Sequence, residues 1–252
     1  MVELIALVFI AAAGFSTILG AIPLAVIRQL THKSHDTILG FVAGVMLGIA
    51  ILDLLIHVPE HSGEQLGLTA ISIIIGMVVI IILIRTVRRI PLPMPFVRNQ
   101  KMMNSSMAFL LFLALAIHNA PEGLATGVGY SQGLTTLGHS IAIAIALHNI
   151  PEGLLISISV LKETGSRRAG FGYAALSGVV EPVAGFIAFF FLTMSPEAFG
   201  MTSAFAAGAM LSVVIFQMIP ESHRHGYHVS ATLALFTGFA IVAVMNLLFG
   251  LY

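Results

Sequence analysis

The chain has 252 residues, 58% of them hydrophobic and only 9% charged, and its formal net charge is zero. Soluble domains carry about 25% charged residues, so too few polar side chains exist to coat a water-facing surface, and an all-α integral membrane protein is expected. With eleven scattered Lys and Arg residues nothing points to nucleic acid, and the lack of cysteine removes disulfides and thiolate metal sites and argues against copper(I)-type chemistry.

A spanning helix needs about 20 apolar residues, and eight such runs fill the chain as one transmembrane domain over 1–252. The first, 3–27, is too long for a signal peptide and has its basic residues, Arg28 and Lys33, after it, so it reads as a retained span. The second, 37–57, holds Asp53 deep within it and runs into "HVPEH", with His57, Glu60 and His61 following towards the outside. The third, 66–84, has no ionisable residue, and the fourth, 106–130, contains "LAIHNAPEGL". The fifth, 134–161, contains "IALHNIPEGL". The sixth, 169–193, contains "SGVVEPVAG", and the seventh, 199–219, leads into "PESHRHGYH". The eighth is 229–251, again without an ionisable residue.

All eleven Lys and Arg fall in the loops after spans 1, 3, 5 and 7. Basic loops stay in the cytoplasm, so both termini are expected outside. Two internal similarities accompany this topology. "FVAGVML" at 41–47 resembles "FAAGAML" at 205–211, and each is followed by Pro-Glu. Span 2 runs outward and span 7 inward, so the match predicts an inverted repeat, 1–3 against 6–8, flanking spans 4 and 5. Inverted repeats with interrupted helices suit secondary transport.

The second similarity is the phrase His-Asn-x-Pro-Glu-Gly, present in spans 4 and 5. His118 and Glu122 are four residues apart and share a helix face, as do His148 and Glu152. Asn119 and Asn149 sit beside them. Pro121 and Pro151 lack an N–H, which deprives the Ile117 and Leu147 carbonyls of their usual donor. Glu181 adds a third carboxylate from span 6. Nitrogen and hard-oxygen ligands without sulfur suit zinc, iron(II), manganese or cadmium. A structural reading would make the phrase a proline kink whose polar groups satisfy one another. Intramembrane ionisable residues are more often functional, and a repeated six-residue phrase favours metal chemistry.

At these residues the sequence resembles the ZIP (Zrt/Irt-like protein) family of divalent-metal transporters, in its small bacterial GufA-like branch. The resemblance covers the whole chain. It implies a two-metal transport site built from His118, Asn119, Glu122, His148, Asn149, Glu152 and Glu181, with Glu122 and Glu152 able to bridge. It also implies import of zinc, and of iron(II), manganese and cadmium, into the cytoplasm across a bacterial inner membrane. A homodimer and an elevator-like motion of spans 1, 4, 5 and 6 against 2, 3, 7 and 8 are implied too. The metal is substrate, and no organic cofactor is expected. Some family members carry Asp where this chain has Asn149, and the histidine-rich loop of eukaryotic members is absent, since 85–105 contains no histidine.

Asp53, His57, Glu60 and His61 form a candidate outer relay, against the plain alternative of a hydrogen-bonded Asp and a solvated helix end. Glu221, His223 and His225, with His32 and His35 of loop 1, form a candidate relay for metal release. The rival class is an intramembrane metalloenzyme such as a protease. The usual zinc-protease string His-Glu-x-x-His does not occur.

Overall fold

The computed structural model describes residues 2–26, 29–56, 66–87, 107–195 and 198–249, without the side chains of residues 66, 87, 107–111, 114 and 118. His57, Glu60 and His61 lie outside the described residues. Among the described residues, eight long helices occupy the predicted runs. They are α1 (Val2–Leu19), α2 (His32–Gly48), α3 (Leu66–Val87), α4 (Met107–Tyr130), α5 (Thr136–Thr164), α6 (Arg167–Met194), α7 (Phe199–Val213) and α8 (His228–Phe249). Seven stretches among the described residues are long and apolar enough to cross a membrane.

Several ends differ from the apolar runs for identifiable reasons. The first run stops being α-helical at Leu19 and ends in a 3-10 turn, Ile22–Ala25, which contains Pro23. The second begins earlier than its apolar run, because the Thr31 side chain accepts from the Ser34 N–H and caps α2 ahead of the membrane. Ser166 caps α6 in the same way through Ala169, two residues before the predicted start. Gly165 closes α5 at φ 67°, a left-handed conformation that favours glycine. α4, α5 and α6 stay continuous through Pro121, Pro151 and Pro182.

The inverted repeat is present in the packing itself. Gly44 of α2 lies against the Leu235 carbonyl of α8, and Gly208 of α7 lies against the Ile73 carbonyl of α3. Gly238 meets the Phe41 carbonyl, and Gly76 meets the Phe205 carbonyl. Each pair maps onto the other: the α2 and α7 positions differ by the 164 residues that align "FVAGVML" with "FAAGAML", and the α3 and α8 positions differ by 162. α1 and α6 follow suit: Gly14 and Gly178 face each other across their seam. In the central pair, Gly123 of α4 abuts the Glu181 carbonyl, while Gly153 of α5 abuts the Thr17 carbonyl. Lipid offers no hydrophobic drive for helices to associate, so close backbone approach at small residues holds such a bundle together.

Equivalent π-helical segments follow in the two halves. α2 continues as Ile49–Leu55 and α7 as Val214–Met218, the latter leading into the turn Ile219–Ser222. The repeat places Asp53 on the first opposite Gln217 on the second. Single π-turns concentrate at functional positions, and nothing in the apolar pattern announces them.

Among the described residues, Lys33, Arg85, Lys162, Arg167, Arg168 and Arg224 all lie at the end of the bundle holding the start of α2, the end of α5 and the α7–α8 turn. The α4–α5 turn, at the opposite end, presents Gln132 to solvent. The chain has no native cysteine, so single cysteines report cleanly. In intact cells, Gln132→Cys is expected to react with a membrane-impermeant maleimide. Glu163→Cys should react only after permeabilisation, and the reverse pattern would invert the topology.

Candidate metal centre

The repeated phrases bring their side chains together in the bundle interior. Glu122, His148 and Glu152 are all fully buried, and each offers a ligand atom within 4.8 Å of the others. The pairing of α4 with α5 does this, and the four-residue spacing on α5 stacks His148 under Glu152. His118 lies on α4 one turn before Glu122, and its side chain is outside the described residues.

Orientation of the His148 ring decides the local chemistry. Its Nδ1 lies 3.3 Å from the Ala144 carbonyl, which can only accept, so Nδ1 carries the hydrogen and Nε2 keeps a lone pair. That Nε2 faces Glu122 Oε1 at 3.0 Å. Two electron-rich atoms so close are reconciled by a shared proton or by a cation between them. A ligating histidine whose other nitrogen donates to a backbone carbonyl is also the arrangement that fixes metal-binding imidazoles.

The asparagines turn their donors away from this cluster. Asn119 Nδ2 donates to the Ser177 carbonyl at 2.9 Å and to Ser177 Oγ at 3.2 Å. Asn149 Nδ2 donates to the Ala13 carbonyl at 2.9 Å and to Glu181 Oε2 at 2.6 Å. Ala13 and Ser177 are equivalent positions of the repeat, so the two-fold relation reaches into the site. With the amide nitrogens engaged, Asn119 Oδ1, Asn149 Oδ1, Glu181 Oε1, both Glu122 oxygens and His148 Nε2 are buried acceptors without a hydrogen-bond donor among the described residues. Unsatisfied polar groups in a membrane interior cost several kcal/mol each. An excess of acceptors over donors is relieved by a bound cation, and the oxygen and nitrogen donor set fits zinc.

The structure thus brings Glu122, His148 and Glu152 into one group and ties Glu181 to Asn149 beside it. Sequence reading missed Thr17. It is fully buried, its Oγ1 has no donor or acceptor partner among the described residues, and it occupies the position in α1 that Glu181 occupies in α6. Extending the 164-residue offset of the repeat from span 2 back to span 1 would have found it.

The relay candidates separate. Asp53 is buried on the π segment of α2, with its carboxylate toward Asn246 of α8 and Ser140 of α5, outside the Glu122 group. Glu221 pairs with Arg224 at 3.1 Å. His223 has both nitrogens engaged, Nδ1 donating to the Ile219 carbonyl at 2.8 Å and Nε2 lying 3.1 Å from Thr232 Oγ1. His225 instead meets Asp36 Oδ1 at 2.7 Å, a residue no sequence pattern singled out.

Comparison with known proteins bears on this site. A family model described as "ZIP Zinc transporter" matches residues 97–246, which include both repeated phrases and Glu181. A protein named zinc transporter ZupT from Chlorobium chlorochromatii is 33% identical over 94% of this chain and 94% of its own length. Zinc transporter GufA from Myxococcus xanthus is also 33% identical, over 94% of this chain and 96% of its own. Zinc transporter ZIPB from Bordetella bronchiseptica is 28% identical over 95% of this chain and 80% of its own.

Proposed function

The chain belongs to the ZIP zinc transporter family, and from that premise we propose that it imports zinc through the buried centre formed by Glu122, His148 and Glu152, with His118, Asn119, Asn149 and Glu181 completing the ligand set. The family is one of membrane transporters, which decides against the metalloenzyme alternative. The observation that carries the proposed site is the facing pair of His148 Nε2 and Glu122 Oε1, 3.0 Å apart, inside a shell of acceptors whose donors point elsewhere. Import runs toward the cytoplasmic end defined by the basic loops. Iron(II), manganese and cadmium share the donor preference, and the same reading includes them as weaker substrates and a homodimer as the working unit. Proteoliposomes enclosing a zinc-sensitive dye test transport directly. Zinc added outside should raise the internal signal, with the other metals competing in excess. A protein that retains zinc without moving it would overturn the proposal.

The geometry supports two tiers of binding. Glu122, His148 and Glu152, with His118, suffice for a four-ligand zinc shell. Glu181, already holding the Asn149 amide, would serve a second and weaker ion with Asn119 and Asn149. Glu181→Gln is therefore expected to lower the zinc stoichiometry toward one per chain and to leave the tight affinity within a few-fold of wild type, as read by calorimetry. Loss of all binding would move Glu181 into the primary shell.

A further inference from the structure

We propose that His35, Asp36 and His225 form a separate divalent-cation site at the end of the bundle that carries the basic loops. They are the other group among the described residues whose ligand atoms lie within 4.8 Å of one another, and they share no residue with the central cluster. His35 and Asp36 come from the first turns of α2 and His225 from the α7–α8 turn, 189 residues away.

The site is oriented before any ion arrives. Asp36 is fully buried, and its Oδ2 accepts the backbone N–H of His225 at 3.2 Å, which leaves Oδ1 to face both rings. Oδ1 lies 2.7 Å from His225 Nδ1 and 3.5 Å from His35 Nδ1. The His35 Nδ1 is a buried atom with no hydrogen-bond partner among the described residues. The His225 ring is held between neighbours, stacked on His32 at 4.2 Å between centroids and edge-on to His35 at 5.3 Å.

Tetrahedral zinc, with bonds of about 2.0–2.1 Å, sets its ligand atoms about 3.3–3.4 Å apart. The His35–Asp36 separation already matches, and the His225 ring needs to withdraw by roughly half an ångström. Binding would displace the hydrogen that His225 Nδ1 gives to Oδ1: a neutral ring then carries its one hydrogen on Nε2, and an imidazolium ring releases the extra proton to water. Two neutral imidazoles and one carboxylate leave the complex with a single positive charge. Water takes the fourth position, since His35 and His225 are partly exposed. Three ligands and an open position make this a site that holds and releases a borderline divalent ion such as zinc or cobalt(II). The existence of the site does not rest on the transport reading.

The alternative is that Asp36 only clasps the α7–α8 turn, and cobalt(II) distinguishes the two. In purified protein carrying Glu122→Ala and Glu152→Ala, one cobalt(II) per chain should remain bound with the intense visible absorption of a tetrahedral site. Adding His35→Ala and His225→Ala should remove it. No cobalt in the first protein, or undiminished cobalt in the second, overturns the proposal. A measurement on the wild type needs no variant. Saturating zinc should protect His35 and His225 from diethyl pyrocarbonate, read by peptide mass spectrometry, while the exposed His228 stays reactive. Equal modification of His35 and His225 with and without zinc also overturns it. Uptake is measured separately, so failure here leaves the central centre standing.

Discussion

Glu152→Ala is expected to abolish zinc uptake, to below about one hundredth of the wild-type rate, since even outer-shell changes at metal sites cost about 10–100-fold. Glu152 is fully buried and shares α5 with His148, one turn away, opposite Glu122 of α4. A divalent ion entering this region sheds most of its water, and charged ligands must replace that hydration. Without Glu152, only Glu122 supplies charge to the three-residue group, and the neutral imidazole cannot make up the difference. Glu152→Gln keeps the volume and hydrogen-bonding reach but not the charge, and should fail to the same degree. Both variants should accumulate in the membrane normally. Near wild-type uptake by either one would place the transported ion elsewhere.

Gly44→Leu is expected to give no folded protein. The position lies directly against the Leu235 carbonyl, so any β-carbon meets backbone, which has no rotamer to yield. Overpacking a core costs about 1–3 kcal/mol even where side chains can adjust. Here α2 and α8 must part along their common seam. Gly44→Ala should survive with a lowered melting temperature, and Gly208→Ala should match it, because Gly208 meets the Ile73 carbonyl in the same way. Gly67→Ala is the control: nothing among the described residues lies within 4 Å of a β-carbon there, and the melting temperature should not fall. Size-exclusion profiles and thermal unfolding of detergent-purified protein read all four. A monodisperse Gly44→Leu protein would mean that the α2–α8 packing differs from that described.

The sequence was most informative where the bilayer does the selecting. Hydrocarbon demands long apolar helices and segregates Lys and Arg by side, so eight runs and their basic loops could be read without packing information. The central cluster was legible because its spacing is local: His148 and Glu152 share a face by helix geometry alone, and the phrase recurs on the neighbouring helix. Features set by contacts between distant segments were not legible. Asp36 looks like one more polar residue at a helix start until His225 is folded against it. The asparagines read as ligands, yet which of their ends is free depends on the carbonyls of Ala13 and Ser177. The π segments arise from hydrogen-bond registers that leave no mark on composition.

The glycine–backbone contacts also sort the helices mechanically. Among the described residues they join α2 to α8, α3 to α7, and α1, α4, α5 and α6 to one another, and none crosses between these groups. Where a carbonyl nests against a bare α-carbon, two helices must first separate before they can slide, so each joined group resists shear. α4 also touches α7 and α2 touches α5, but with no such interlock to climb over. Those surfaces carry none of the carbonyl–glycine contacts that join the helices bearing Glu122, His148, Glu152 and Glu181 to one another, so the least resistance to sliding is expected there.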